Sequence, residues 1–214
     1  MIIHQIFGLL GDTILPPLFV EQQAKVKEWC KINQYEYKLW GPENCNELIE
    51  KYPIYKDFYN TVKYTIMKVD IIRWLILYDN GGCYLDMDIA PVIKSVDIND
   101  RLVIGYKSGK RKFYDMEFIQ LSKGHHIAID FINYMREQIV LKEKIAVYKE
   151  WKMRFVFQTT GPDSLTRYLK INNIKPKKYI LNHSCRYNNK WSLNINGNED
   201  FISLPSVSYE NKMN

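Results

Sequence analysis

The chain lacks several things that would have settled its class at once. No stretch approaches about 18 continuous apolar residues, so no segment reads as a membrane-spanning helix. Its four cysteines, Cys30, Cys45, Cys83 and Cys185, lie far apart with no CxxC pair. That excludes a zinc ribbon and argues against a disulfide scaffold. There is no internal repeat, no linker-like composition and no dense cationic tract beyond Lys107 to Lys112 (KSGKRK), which Gly109 marks as a loop. The N-terminus has no basic flank of the signal-peptide kind, and Asp12 interrupts its apolar run, so the expectation is a cytosolic protein with reduced thiols.

What is present suits a globular protein. The 214 residues are 46% hydrophobic and 25% charged, enough for one sizeable domain with a core. The net charge of +6 favours anionic partners. The cations are spread along the whole chain and no recognition motif accompanies them, so nucleic acid is not expected as a partner.

Periodicity predicts strands and helices mixed from end to end. Residues 1–7, 35–40, 83–89, 101–107 and 113–121 read as strands, with shorter late strands at 179–181 and 201–209. Residues 18–33, 63–78, 126–140, 143–154 and 161–170 read as helices, with a short one ending at Glu50 and broken by Pro53. In 63–78 Ile66, Val69, Ile72 and Ile76 recur at helical spacing, and Asn80-Gly81-Gly82 ends the helix. The fold expected is one α/β domain with a mixed, mostly parallel Rossmann-like sheet flanked by helices.

The informative segment is KVDIIRWLILYDNGGCYLDMDI, residues 68–89. On a strand through it, Tyr84, Asp86 and Asp88 share one face and Cys83, Leu85 and Met87 the other. Two like charges about 5 Å apart repel by roughly 3 kcal/mol at an effective dielectric near 20. A bound divalent cation removes that repulsion, and oxygen donors suit Mg2+ or Mn2+. One helix earlier, Asp70 and Arg73 stand at i and i+3. The Gly-Gly turn folds that helix back beside the strand. An acid, a guanidinium and two carboxylates then meet at a strand end, where open α/β sheets place their ligands. Alone, Asp70 and Arg73 would read as a surface ion pair and the D-x-D as a chance strand end. Their joint order is what points to a site.

These residues resemble the DXD-containing sugar-binding region of glycosyltransferase family 32, which holds initiating mannosyltransferases and many capsular polysaccharide enzymes. The related glucosyltransferase domains of large clostridial toxins are similar. IIHQIFG at 2–8, FIQLSKGHH at 118–126 and TGPDSLTRYL at 160–169 extend the likeness over most of the chain. The resemblance implies a single GT-A catalytic domain over 1–214, with the nucleotide-sugar part at about 1–92 and the acceptor part at about 93–214. It implies Mn2+ or Mg2+, a nucleoside diphosphate sugar donor, a glycan or glycoprotein acceptor, and retention of configuration. By motif position Asp88 would bind the metal, and Asp86 would hold the ribose and reach the metal. Asp70 and Arg73 would contact the donor sugar, with Arg73 near the diphosphate. Tyr84 would line the nucleotide pocket, and Phe7 would stack on the base where the family often has Trp. The donor expected first is a uridine diphosphate hexose such as UDP-glucose, and second GDP-mannose.

The family's closing His and Ser-Trp pair is missing from VSYENKMN. Ser208, Asn211 or His183 are the candidates for that place, with His183 as the further metal ligand. Asp115 and Glu117 are candidates for the acceptor side. His125 and His126 read as surface or capping groups, and His4 as a satisfied core histidine. Thr160 to Asp163 reads as a helix cap whose N–H groups could also hold an anion. The chain is expected to be a bacterial or viral enzyme in the cytoplasm, or an excised catalytic domain. Two other readings use the same residues. One is an inactive nucleotide-sugar or glycan binding module of the same fold. The other is a Mg-dependent phosphatase of the HAD-like kind, against which Ala90 stands where that motif has Thr or Val.

Overall fold

The computed structural model describes residues 1–91, 95, 97, 102–107, 113–187, 190–195 and 198–203; side chains at 18, 90, 91, 107, 149, 150 and from 179 onward lie outside that description. The loop at 108–112, Ser208, Asn211 and the side chains of His183 and Cys185 therefore fall outside it.

The chain opens with strand β1 (Ile2–Ile6), helix α1 (Pro17–Ile32) and strand β2 (Glu36–Trp40), then helices α2 (Pro42–Glu50), α3 (Pro53–Thr61) and α4 (Thr65–Asn80). Strands β3 (Gly82–Leu85), β4 (Ile89–Pro91), β5 (Leu102–Lys107) and β6 (Phe113–Leu121) follow, and then helices α5 (Ile127–Lys142), α6 (Ala146–Glu150), α7 (Lys152–Thr159) and α8 (Pro162–Ile171). Strands β7 (Lys177–Tyr187), β8 (Lys190–Ile195) and β9 (Asn198–Ser203) close the described chain.

One sheet joins the strands in the order β2-β1-β3-β6-β5-β7-β8-β9-β4. Its first six strands form the central part. There β1 runs parallel to β2 and β3, and β5 parallel to β7, while β6 is antiparallel to both of its neighbours. Three of five pairings are parallel, as the alternation of helices and strands predicts. The hairpins of β7, β8, β9 and β4 extend the sheet antiparallel.

Strand alternation sorts the core onto two faces. Ile3, Cys83, Leu85, Val103 and Phe118 pack with Val26, Trp29 and Cys30 of α1 on one face. Ile6, Tyr84, Ile104 and Ile119 pack with α4 and the other helices on the second face. Helix α4 is apolar nearly all round; Ile71, Ile72, Trp74, Leu75, Ile76 and Leu77 are all fully buried. Such a helix must sit inside the protein rather than on it, and α4 lies between the sheet and α5, with α2 and α3 beside it. It ends at Gly81 and Gly82, with φ of 68° and 96°. Both values lie in the left-handed region that glycine tolerates best. A Cβ on Gly82 would fall on the Ile2 carbonyl oxygen, so the turn lays β3 directly against β1. Among the described residues no helix is long and apolar enough to cross a membrane.

Four expectations are corrected. The strand at 83–89 is interrupted: Asp86 to Asp88 form a turn between β3 and β4, closed by Ile89 N donating to the Asp86 carbonyl at 3.1 Å. Asp favours turns over strands, where its side chain competes with the ladder. Pro53 ends nothing further but opens α3, at the helical position where its missing N–H costs least. The helix at 143–154 is two, α6 and α7, parted at Trp151. The short strand at 179–181 is the middle of an eleven-residue one, β7, and β8 lies beyond it.

His4 is the satisfied core histidine expected. Its Nε2 pairs with the Gly81 carbonyl at 2.8 Å, and Nδ1 accepts from Trp40 Nε1 at 3.1 Å. Nδ1 is thus the bare nitrogen and Nε2 carries the proton. Burial, helped by the Lys38 charge and opposed by the Gly81 bond, lowers its pKa to about 4. The unfolded chain therefore takes up this proton first. The stabilising effect of neutral His4 is complete above about pH 6.5 and is lost as the pH falls toward 4, by up to about 3 kcal/mol at 1.36 kcal/mol per pKa unit. Urea midpoints should fall over that window in the native chain and fall less in His4→Gln. An equal slope in both would assign the acid sensitivity elsewhere.

Candidate active site

The site is built on the end of α4, the β3–β4 turn and β6. Asp70 and Arg73 are one turn apart on α4 and are 5% and 4% exposed. A buried guanidinium needs partners for its N–H groups, and here they are specific. Arg73 Nη2 donates to Asp70 Oδ1 at 3.1 Å, Nη1 to the Met116 carbonyl at 2.8 Å, and Nε to the Val69 carbonyl at 3.3 Å. Nη1 also lies 3.3 Å from Asp86 Oδ1, and the guanidinium sits 4.7 Å from the Tyr84 ring centre. Tyr84 Oη donates to the same Asp86 oxygen at 2.6 Å.

The turn carrying Asp86 is fixed from both sides. Asp86 N donates to the Glu117 carbonyl at 3.0 Å. Gln5 Nε2 donates to the Asp86 carbonyl at 3.2 Å, and Gln5 Oε1 accepts from Tyr37 Oη at 3.0 Å. Behind Arg73, Asp70 Oδ2 accepts from Thr160 Oγ1 at 2.7 Å. Thr160 stands between α7 and α8, so that junction reaches the site through its hydroxyl, beside the carbonyls that β6 supplies. Gly161 begins α8 because a Cβ there would press on the Phe157 backbone.

Burial pushes the Asp70 carboxyl up to about 6; Arg73 and the Thr160 hydroxyl hold it down, while the charges of Asp86 and Asp115 push it further up. The acids in this corner outnumber the guanidinium. Such an excess of negative charge in a half-dry place favours a cation.

A cavity of about 150 Å³ opens beside these groups. Arg73, Tyr84, Asp86, Asp88 and Asp12 line it together with the apolar Ile6, Phe7, Pro16 and Phe19. The face-sharing argument for Asp86 and Asp88 fails with the strand it assumed, yet both acids line this one cavity. Asp88 is 7% exposed. Among the described residues no three His, Cys, Asp or Glu side chains gather into a closed metal site. Two carboxylates on a cavity wall nevertheless fit Mg2+ or Mn2+, which keep waters and take substrate phosphates rather than demanding an all-protein cage.

Most of the residues expected at the site lie among the described ones. Phe7, Arg73, Tyr84, Asp86 and Asp88 meet at the cavity. Asp70 stands one layer behind, bonded to Arg73 and Thr160. Asp115 and Glu117 lie on β6 beside the turn; Asp115 is 6% exposed and its Oδ1 accepts from Glu117 N at 3.2 Å. His183 lies on β7 with its side chain outside the description. His125 caps α5, its Nδ1 accepting from Ile127 N at 3.3 Å, and its ring stacks on His126. Sequence reasoning missed Gln5, Phe19 and the role of Thr160. For Gln5 the signal was a polar side chain inside a buried strand.

Residues 20–108 match the family described as glycosyltransferase sugar-binding region containing DXD motif. Over 57 residues the chain is 43% identical to "Inositol phosphoceramide mannosyltransferase 3" of Schizosaccharomyces pombe, covering 26% of this chain and 16% of that protein. Over 55 residues it is 44% identical to "Mannosyl phosphorylinositol ceramide synthase SUR1" of Saccharomyces cerevisiae, covering 25% and 14%. The chain thus spans less than a fifth of the length of these two relatives. Among solved structures, "PaToxG Glycosyltransferase" superposes with a TM-score of 0.59 at 16% identity, over 80% of this chain and 69% of that one. At that identity the likeness is one of fold. The chain thus has the GT-A glycosyltransferase fold, and within it residues 20–108 match the DXD-containing sugar-binding region.

Proposed function

We propose that the chain is a divalent-metal-dependent hexosyltransferase, moving a hexose from a nucleoside diphosphate sugar to a hydroxyl of a glycan acceptor with retention of configuration. The observation that carries this reading is that Asp86, Asp88 and Arg73 line one cavity, with Arg73 Nη1 3.3 Å from Asp86. The barrier in glycosyl transfer is departure of the diphosphate, on which negative charge grows. Fixed cationic groups aimed at that charge are the most effective aid a protein can give. Asp88 and Asp86 would hold a divalent metal, which would supply Lewis-acid stabilisation of the leaving diphosphate.

The chain's own residues do the rest. Arg73 is held by Asp70 on one side and the Met116 carbonyl on another, so its guanidinium faces the cavity without having to reorganise. Asp86 carries Arg73 and Tyr84 on its Oδ1, and serves the ribose side of the donor. Phe7 and Phe19 offer aromatic faces to the base. Asp70 acts through Arg73 as a positioning residue, and Asp115 and Glu117 border the acceptor side. Residues 1–92 form the donor part, and β6 and Thr160 bring the acceptor part, 93–214, against it. The enzyme works in the cytoplasm.

The uridine diphosphate hexose reading of the donor now has a specific competitor: the curated relatives above are named for mannose transfer, which favours GDP-mannose. A thermal-shift panel of UDP, GDP, dTDP and their sugars, each with and without Mn2+, decides between them. At 100 times Kd a ligand stabilises by about 2.7 kcal/mol, a rise of about 5–10 °C for a chain of this size. One nucleotide should give that rise, and only with metal. No metal-dependent rise with any of them would overturn the reading. Metal-dependent binding without release of nucleotide from its sugar would leave the inactive binding module instead.

A further inference from the structure

We propose that the corner formed by the end of α5, α6 and the start of α7 is a docking surface for an anionic lipid bilayer. Val140, Leu141, Ile145, Val147 and Trp151 follow one another along this corner and are 64%, 65%, 45%, 38% and 60% exposed. Single exposed apolar residues are ordinary, but five in one short stretch, one of them tryptophan, are not. The same stretch has an inner side that is covered. Phe155 and Val156 are buried, the Tyr148 and Phe155 rings meet at 6.1 Å, and Phe155 meets Tyr64 at 6.1 Å. Tyr64 is the residue just before α4. The inner side therefore serves the core, and the outer one is left for a partner.

Charge selects that partner. Among the described side chains of residues 142–154, three cations, Lys144, Lys152 and Arg154, are exposed against one acid, Glu143, while Lys142 is buried. The Arg154 guanidinium sits 6.0 Å from the Trp151 ring centre. An apolar face studded with tryptophan and bordered by cations matches the boundary between acyl chains and anionic headgroups. Tryptophan settles there because its ring is apolar and its N–H is wet. A second copy of this chain would bring the same cations face to face, whereas phosphatidylserine headgroups neutralise them. The position is also suitable. Helix α7 leads directly into Thr160, which bonds Asp70, so a docked bilayer would lie against the half of the chain assigned to the acceptor. Docking itself stands without the transferase reading.

The test is co-sedimentation of the full chain with vesicles of phosphatidylcholine alone and of phosphatidylcholine with phosphatidylserine. The chain should pellet with the anionic vesicles, and binding should weaken steeply as salt is added. Trp151→Asp and, separately, the double variant Lys152→Glu with Arg154→Glu should each lower the partition coefficient at least about tenfold, with unchanged thermal midpoint and unchanged nucleotide response. Failure of the native chain to pellet with anionic vesicles would overturn the proposal, as would equal pelleting of all variants. A concentration-dependent dimer that Trp151→Asp dissolves would also overturn it, assigning the surface to a second copy. Nucleotide binding is read separately, so a negative vesicle result leaves the donor site standing.

Discussion

Asp88→Asn should leave a folded protein that no longer turns over donor. The substitution keeps the shape of the side chain and removes only its charge, at a position 7% exposed on the cavity wall. Folding should tolerate it. Asp88 lines the same cavity as Asp86, and one fewer negative charge in an acid-rich corner relieves repulsion. The thermal midpoint without ligands should therefore be unchanged or slightly higher. Turnover should not survive. The amide is a weak, neutral donor for a hard cation, and loss of one fixed group that stabilises leaving-group charge lowers turnover by about 100- to 1,000-fold. Release of nucleotide from the donor sugar, followed at saturating Mn2+, measures the loss. A thermal titration with Mn2+ and nucleotide should show that the metal-dependent rise has gone as well. Full activity in Asp88→Asn would refute the metal assignment, and lost activity with a collapsed midpoint would move Asp88 from chemistry to folding.

How much of this was legible in the sequence depends on which physical signal each part carries. Helix α4 was legible because its apolar spacing and its glycine stop are both local properties. The sheet's central strands were legible in their short runs of β-favouring residues bounded by turn signals. The β3–β4 turn was not, since CYLDMDI alternates as well as a true strand does. The bond from Ile89 N to the Asp86 carbonyl shows that the chain turns there. Strand β8 carried a readable signal, with Trp191, Leu193 and Ile195 alternating after Asn188-Asn189. The cavity was legible in its acids and in Phe7. It was not legible in Phe19, which sits on α1 and looks like any helical core residue. Thr160 was hidden for a different reason. A threonine before Gly-Pro reads as a cap by local rules, and its actual partner, Asp70, is 90 residues away. Long-range hydrogen bonds between single polar atoms leave no periodic trace.

Arg73→Met should destabilise the fold by about 3–5 kcal/mol, the range seen when one partner of a buried ion pair is removed. Methionine fills much of the same volume, so the loss is electrostatic rather than a cavity. It strands Asp70, which keeps only the Thr160 hydroxyl of the two partners described here. It also leaves the Met116 carbonyl without its guanidinium donor and takes the cation from the Tyr84 ring. The Asp70 carboxyl already sits at about 6 with Arg73 in place. Without the guanidinium, the main force lowering it is gone, and it should hold its proton at neutral pH. In the variant the folded pKa of Asp70 then lies well above its unfolded value. The sign follows directly: Arg73→Met should gain stability relative to the native chain as the pH falls from 7 toward 5, where Asp70 is neutral in the folded state. The double variant Arg73→Met with Asp70→Asn removes the stranded charge and should recover a large share of the loss at pH 7. Urea unfolding of the native chain, both single variants and the double variant forms the cycle, with a coupling energy above about 1 kcal/mol expected for groups in direct contact. Additive losses in that cycle would show that Asp70 and Arg73 act independently, and the account of Arg73 as a cation held in place by Asp70 would then fail.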